Sequence, residues 1–209
     1  MVKTNEMVVR TLIESGVTRG FTLPGLGVTW SLPAFHDHKS DFDVVLCRNE
    51  WIASIMAQAA GRLEGKPSVL MGQGPWITTM GSLGILEAHF AGTPMVVLTE
   101  TSDYDGYGQM GVYQTMTGDY GGANGLASLK PITKYATTLV AGDNIPSRIR
   151  EAYRIAEEEK PGAVHIELPE DIADEQTDER PIPKSGVRRP TPEAKSISQA
   201  LEKLHAAKS

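Results

Sequence analysis

The sequence contains a single cysteine, Cys47, among its 209 residues. One cysteine excludes an internal disulfide bond and is typical of a reducing compartment, so we expect a cytoplasmic location. Cys47 ends a short apolar run, and this position predicts a small core residue rather than a nucleophile.

Basic charge and long apolar runs are also scarce. The net charge is −6, and no basic stripe with interleaved aromatic residues occurs. This composition argues against binding to nucleic acid or to an anionic membrane surface. The longest apolar runs, such as residues 95–98, have the length of a strand, so no segment is predicted to span a membrane.

Metal-ligand spacing and internal repeats are absent from the sequence as well. The five histidines, at positions 36, 38, 89, 165 and 205, are not spaced with carboxylates as the ligands of a metal site would be. No repeat of 20–50 residues is present, which excludes a solenoid or a propeller. We therefore predict a globular chain without a metal site of its own.

What the sequence does contain is a regular alternation of strand and helix patterns. Predicted strands cover residues 18–23, 44–47, 68–71, 94–99, 134–139 and 163–168, and predicted helices cover residues 5–15, 29–36, 50–63, 77–90 and 145–158. Residues 72–75 are predicted to form a turn. This alternation predicts an α/β fold of three layers, α/β/α, around a mainly parallel sheet.

Composition divides the chain into three parts. Residues 1–171 form the predicted domain, and within it the loop 101–129 is long enough to suggest a functional role. Residues 172–191 are rich in charge and proline and are predicted to be a linker. Residues 192–209 begin an amphipathic helix without a following strand. We expect this helix to start a missing middle domain, in a chain that is truncated, a proteolytic fragment or a separate coding unit.

One stretch, residues 43–65, combines a buried strand with a helix rich in small residues. Glu50 lies on the first turn of that helix, at the carboxyl edge of the strand, where open α/β sheets place ligands. A carboxylate there also complements the helix dipole, an effect of about 0.3–1 kcal/mol. Position alone favours the dipole role.

Several motifs that occur in a specific order favour a functional role for Glu50 over the dipole role. They are Phe-Thr-Leu-Pro-Gly at 21–25, Arg-Asn-Glu at 48–50, Gly-Pro at 74–75, Ala-Gly-Thr-Pro-Met-Val-Val-Leu-Thr at 91–99, Tyr-Gln at 113–114, Lys-Pro-Ile-Thr-Lys at 130–134 and Lys-Pro-Gly-Ala-Val-His-Ile-Glu-Leu-Pro-Glu-Asp at 160–171. In order and spacing they resemble the N-terminal, pyrimidine-binding domain of thiamine-diphosphate-dependent enzymes of the acetolactate synthase and pyruvate oxidase/decarboxylase group. The resemblance implies the thiamine-diphosphate-binding fold of the pyrimidine-domain type over residues 1–171.

The resemblance implies a catalytic role for Glu50. In these enzymes a glutamate at this position bonds a ring nitrogen of the cofactor aminopyrimidine and favours the imino tautomer, which removes the thiazolium C2 proton. The cofactor supplies the carbanion chemistry and the protein supplies orientation and proton control. Burial of a carboxylate in such a cleft raises its pKa in the direction that proton sharing requires.

The resemblance also assigns roles to other residues. Cofactor contacts are implied for Pro24, Gly25, Gly74 and Pro75, a second catalytic side chain for Gln114, and a substrate pocket for Leu26, Trp76 and Tyr113. Alternatives from the residues alone stay open: Gly74 and Pro75 suit any turn before a helix, and Tyr113 suits a packing aromatic. Asn49 stands where synthases commonly carry histidine, and Trp76 replaces a small glycine, so the substrate pocket differs from that of the synthases.

The predicted function is the N-terminal part of a 2-oxo-acid decarboxylase or carboligase. The family binds the Mg²⁺ of the cofactor diphosphate with a Gly-Asp-Gly motif and a later Asn, and neither Gly118-Asp119 nor Gly142-Asp143 continues with glycine. We therefore expect Mg²⁺ to be bound by a domain absent from this chain, and the chain to be inactive without it.

The expected partners are a small 2-oxo acid, a diphosphate-binding domain of another chain or of the missing part, and a second copy of the chain. The homodimer is expected to form through the Glu50 helix and the helix over 77–90. Two alternatives remain. One is a natural split subunit like the α-subunit of sulfopyruvate-type decarboxylases, against which the linker argues, and the other is a non-catalytic binding or scaffold module.

Overall fold

A computed structural model of the chain describes residues 1–25, 31–102, 116–118, 122–140 and 144–207. The strands are β1 (Val2–Lys3), β2 (Arg19–Thr22), β3 (Asp43–Leu46), β4 (Ser68–Gln73), β5 (Met95–Thr101), β6 (Tyr135–Thr138), β7 (Ala163–Pro169) and β8 (Gln176–Thr177). The helices are α1 (Thr4–Glu14), α2 (Leu32–Asp37), α3 (Glu50–Glu64), α4 (Gly74–Thr79), α5 (Ser82–Ala91), α6 (Gly125–Leu129), α7 (Ile145–Glu157), α8 (Glu170–Asp174) and α9 (Ala194–Ala206), with a 3₁₀ turn at Lys130–Ile132.

Six of these strands form one parallel sheet, in the order β3-β2-β4-β5-β7-β6. The strands β4, β5 and β7 are buried along their whole length. This explains apolar runs such as residues 69–71 and 95–98, because a strand covered on both faces has no solvent-exposed side. The predicted α/β fold with a mainly parallel sheet is confirmed.

Helices cover both faces of the sheet. Because side chains alternate along a strand, Val69 and Met71 point to one face and Leu70 to the other. The first face packs against α1, α2, α7 and α8, through residues such as Met7 and Tyr153. The second face packs against α3 to α6. The molecule therefore has the predicted three layers, with a separate hydrophobic core on each side of the sheet.

The segment that follows β4 differs from the prediction. A turn over 72–75 and a single helix over 77–90 were expected. Instead β4 continues to Gln73, α4 begins at once with Gly74, and a second helix, α5, begins at Ser82. The prediction of one helix was wrong.

Side-chain hydroxyl groups account for the break between α4 and α5. Thr79 donates to the carbonyl oxygen of Pro75 at 2.7 Å, and Ser82 donates to that of Thr79 at 2.6 Å. Such bonds give the backbone an alternative to the regular helical pattern. A Cβ atom added to Gly81 would lie 2.8 Å from the carbonyl oxygen of Ile77, so the chain turns tightly here. The spacing of apolar residues continues through the break, so the sequence pattern alone predicts a single helix.

The chain beyond residue 171 returns to the domain before it leaves it. Ile172 and Ala173 are buried in the core on the α1 side of the sheet. The strand β8 then pairs antiparallel with β1, and an ion pair joins Lys3 to Asp174. Farther on, every residue of α9 is exposed. The division into a domain, a linker and a further domain stays a prediction. Residues of the predicted linker contact the first part, because Glu179 accepts from the backbone N–H of Ile145 and Lys184 pairs with Glu157.

The ammonium group of Lys134 bonds the last turn of α7. It donates to the carbonyl oxygens of Ile155 and Glu158 at 2.5 and 2.6 Å. Lys134→Met is expected to lower the free energy of unfolding by about 1–2 kcal/mol, because carbonyl groups at a helix end lose a charged donor. Urea unfolding measures the change. Lys39→Met, which removes an exposed lysine, is the control, and an equal loss in both variants would contradict the prediction.

Candidate functional site

The predicted site residues follow three neighbouring strands. β3, β2 and β4 are adjacent and parallel, so their carboxyl ends lie at the same edge of the sheet. Pro24 and Gly25 follow β2, Glu50 follows β3, and Gly74 and Pro75 follow β4. Ligands of open α/β sheets bind at this edge. Leu26, Tyr113 and Gln114 lie outside the described residues, and their roles stay predictions.

Glu50 is the first residue of α3 and is only 7% exposed. The side chain of Asn49 caps the helix by accepting from the backbone N–H of Ile52 at 2.8 Å. Within the described part of the chain, the Glu50 carboxyl group has neither a hydrogen-bond partner nor an ion-pair partner. A carboxyl group without a partner in the described residues, on the first turn of a helix and at the edge of the sheet where ligands bind, keeps its hydrogen-bonding capacity for a ligand.

Small residues fix α3 closely against its neighbours. A Cβ atom on Gly61 would lie 2.4 Å from the carbonyl oxygen of Pro94, just before β5. On α5, a Cβ atom on Gly84 would lie 2.3 Å from the backbone carbon of Ser54. These approaches are possible only for glycine, and they set the place of the helix that carries Glu50.

Gly74 and Pro75 form the first turn of α4, directly after β4. Gly74 is buried, and a Cβ atom there would lie 3.0 Å from Cγ of Met116 and 3.1 Å from the carbonyl oxygen of Glu100. Contacts inside the chain therefore already explain the glycine. The next residue, Trp76, is 41% exposed.

The sequence did not point to a second buried carboxyl group at this edge, that of Glu100 near the end of β5. Its Oε1 accepts from the hydroxyl group of Ser31, and its Oε2 is buried without a partner in the described residues. Burial raises the pKa of Glu100 to about 8; the bonds from Ser31 oppose the rise and the charge of Glu170 adds to it. The polar run Thr-Glu-Thr at 99–101, which ends an apolar strand, was the signal available in the sequence.

A polar ladder crosses the opposite face of the sheet. Thr99 bonds Nε2 of His165 at 2.8 Å, and Thr138 donates to Oε2 of Glu167 at 2.8 Å. Burial lowers the pKa of His165 to about 3 and raises that of Glu167, although the bond from Thr138 opposes the second shift. These side chains join β5, β7 and β6 to each other.

A known protein family matches the part of the chain that contains Glu50 and the other predicted site residues. The sequence model described as "Thiamine pyrophosphate enzyme, N-terminal TPP binding domain" matches residues 2–121, which is more than half of the chain. The chain belongs to the thiamine pyrophosphate enzymes. The resemblance to the pyrimidine-binding domain of this family is thereby confirmed.

Relatives among the thiamine pyrophosphate enzymes are acetolactate synthases. The chain is 32% identical to acetolactate synthase of Bacillus subtilis over 205 residues, covering 97% of this chain and 34% of that protein. It is 28% identical to the catabolic acetolactate synthase of Raoultella terrigena over 201 residues, covering 94% and 34%. The chain thus spans about a third of the length of the curated relatives it matches.

A solved structure shares the fold. The crystal structure of benzoylformate decarboxylase from Polynucleobacter necessarius superposes with a TM-score of 0.85. The superposition covers all of this chain and 37% of the decarboxylase chain, and the two sequences are 19% identical. The likeness shows that this chain shares the fold of that part of the decarboxylase.

The two ends of thiamine pyrophosphate differ in how they fit the residues that are described. The carboxyl group of Glu50, which has no partner in the described residues, suits the ring nitrogen of a pyrimidine. The diphosphate end needs a divalent metal, and no group of three or more His, Cys, Asp and Glu side chains in the described ranges is able to bind one.

Within the same ranges, no helix is long and apolar enough to cross a membrane.

Proposed function

We propose that this chain is the pyrimidine-binding part of a thiamine-diphosphate-dependent 2-oxo-acid decarboxylase or carboligase, similar to acetolactate synthase. The observation that carries the proposal is the burial of Glu50 without a partner at the carboxyl edge of the sheet. Membership of the thiamine pyrophosphate enzymes supports it.

In this proposal the Glu50 carboxyl group bonds a ring nitrogen of the cofactor pyrimidine and exchanges a proton with it. The cofactor, when bound, supplies the electron sink for cleavage of a 2-oxo acid. Asn49 and the glycine contacts of α3 fix the position of the carboxyl group. Pro24, Gly25, Gly74 and Pro75 border the same cleft, and Gln114, Leu26, Trp76 and Tyr113 are proposed to face the substrate.

Mg²⁺ and the diphosphate are proposed to bind to a separate domain, in another chain or in a longer form of this one. Two observations support this: no metal-binding group occurs among the described residues, and the curated relatives are about three times as long. The chain is then half of a catalytic site and inactive alone. Titration calorimetry with thiamine diphosphate and Mg²⁺ tests this, with and without a chain that carries a Gly-Asp-Gly motif followed by Asn.

Tight binding of the cofactor only when both chains are present is the expected result. Turnover of a 2-oxo acid by this chain alone would refute the half-site. Binding without any turnover in the presence of the second chain would favour the scaffold module. Turnover that needs the second chain but no further part of this one would favour the split subunit.

The outer faces of α3 and α5 are proposed to form a homodimer interface. Large apolar side chains are exposed along both helices: Trp51, Ile55, Met56, Leu63, Met80, Leu83 and Phe90, with Met80 just before α5. The two helices touch where Gly84 meets Ser54, so these side chains flank one contact. Apolar surface of this kind on a globular chain marks an interaction site.

Leu83→Glu tests the interface. A charge placed at a buried contact costs several kcal/mol, so the dimer dissociation constant is expected to rise at least about tenfold. Leu201→Glu on α9 is the matched control, because Leu83 and Leu201 are both 49% exposed. Analytical ultracentrifugation measures both variants. A monomeric wild type, or equal weakening by the two substitutions, would contradict the proposed interface.

A further inference from the structure

Three buried polar residues on the α1 side of the sheet have no part in the role proposed for Glu50. They are Gln73 on β4, Glu100 on β5, and Ser31 directly before α2. Gln73 and Glu100 are partners across the parallel β4–β5 ladder, so their side chains lie side by side on one face. Both are at the carboxyl edge, the edge where Glu50 also lies.

The side chain of Ser31 bonds Glu100 rather than the helix that Ser31 precedes. A serine before a helix normally accepts a bond from the N–H of the second or third helical residue. Ser31 is the N-cap of α2, yet its side chain makes no capping bond. Its hydroxyl group donates to Oε1 of Glu100 across 69 residues of sequence, and its backbone also bonds that carboxyl group.

Gln73 contacts the other end of the same connection. A Cβ atom on Gly25 would lie 2.6 Å from Oε1 of Gln73 and 3.4 Å from its Cβ, so the backbone of Gly25 packs directly on this side chain. Gly25 and Ser31 bound the connection between β2 and α2. Gln73 and Glu100, which are neighbours on the adjacent strands β4 and β5, therefore contact the two ends of the connection between β2 and α2.

The environment of Glu100 favours the uncharged acid. The residue is 2% exposed and its Oε2 is without a partner in the described residues. The neighbouring strands present Gln73 and Leu168, and Ser31, directly before α2, presents its hydroxyl group. Among the described residues, the titratable group that faces Glu100 is Glu170 at the start of α8. At neutral pH a neutral carboxyl group accepts the Ser31 bond without a buried charge.

We propose that Glu100 is a positioning residue that, together with Gln73, fixes both ends of the β2–α2 connection at the edge of the sheet. The inference rests on the proposed function, because Pro24 and Gly25 at the start of this connection border the proposed cofactor cleft. Glu100 acts through Ser31 and has no contact with cofactor or substrate in the proposal.

Nuclear magnetic resonance of the 209-residue chain tests the positioning without any ligand. The amide signals of Gly25 and Ser31 are expected to move together in one titration near pH 8. In Glu100→Gln, which keeps an uncharged acceptor, they should stay constant between pH 6 and 9.5, whereas Glu100→Leu should shift both at every pH. Glu167→Gln, a buried carboxyl group on the other face of the sheet, should keep the wild-type titration.

A wild type without this titration, a titration that persists in Glu100→Gln, or unchanged amide signals in Glu100→Leu would overturn the proposal. Cofactor affinity in the two-chain assembly gives the second readout. At pH 7, Glu100→Leu and Ser31→Ala should raise the dissociation constant of thiamine diphosphate about fivefold, the effect of one lost hydrogen bond, and Glu100→Gln should restore it.

Equal cofactor affinity in all variants would also overturn the proposal. If the wild type binds no thiamine diphosphate at all, the proposed function fails, and the amide titration alone then decides whether Glu100 positions the connection.

Discussion

Glu50→Gln is expected to slow exchange of the cofactor C2 proton by about 10²–10⁴-fold in the assembly of this chain with a diphosphate-binding chain. The amide keeps the size and shape of the side chain but does not exchange a proton with the pyrimidine ring. Proton exchange measured by quenched nuclear magnetic resonance reports this step directly and does not depend on the identity of the 2-oxo acid.

A second measurement separates this role from a helix-dipole role. If Glu50 only complements the dipole of α3, Glu50→Gln lowers the free energy of unfolding by at most about 1 kcal/mol and leaves C2 exchange unchanged. Glu14→Gln, an exposed carboxylate at the end of α1, is the control for a general loss of charge. Unchanged exchange in Glu50→Gln would remove Glu50 from the mechanism.

The stability of the wild type is expected to fall as pH rises toward 8. The Glu100 carboxyl group has a pKa of about 8 in the folded chain and an ordinary value of 4.5. Between these values the folded state binds the proton that the unfolded state has lost. The stabilisation is therefore complete below about pH 4.5 and is lost as pH rises through 8, with a slope of up to about 1.4 kcal/mol per pH unit.

His165 acts in the opposite direction at lower pH. Its pKa is lowered from 6.5 to about 3, so protonation of the unfolded chain destabilises the fold as pH falls below 6.5. The contribution of Glu100 is clearest between pH 6.5 and 8, where it amounts to up to about 2 kcal/mol. There the difference in unfolding free energy between the wild type and Glu100→Gln should change with pH, and parallel profiles would contradict the prediction. Glu167→Gln controls for the other buried carboxyl group with a raised pKa.

The six strands of the parallel sheet were predictable because short apolar runs that alternate with helical patterns leave a direct mark on the sequence. The run over residues 95–98 is an example. Glu50 was also predictable, because strand, turn and helix start are consecutive there. Its burial was not, since burial depends on how closely Gly61 and Gly84 admit their neighbours.

The parts that the sequence did not disclose depend on contacts between distant residues. The bond from Ser31 to Glu100 spans 69 positions, and no local pattern encodes it. The break between α4 and α5 depends on hydroxyl groups whose bonds are invisible to apolar spacing. Both are side-chain hydrogen bonds, which local propensity does not describe.

The pairing of β1 with β8 has a consequence for how the domain can be rearranged. Val2 and Thr177 are opposite each other in an antiparallel ladder, where facing Cα atoms are about 5 Å apart. A peptide of a few glycines therefore suffices to join them. A circularly permuted chain is obtained when Thr177 is joined to Val2 and the chain is opened at Gly92, between α5 and β5. This chain would keep every strand of the parallel sheet, and its first element would be β5.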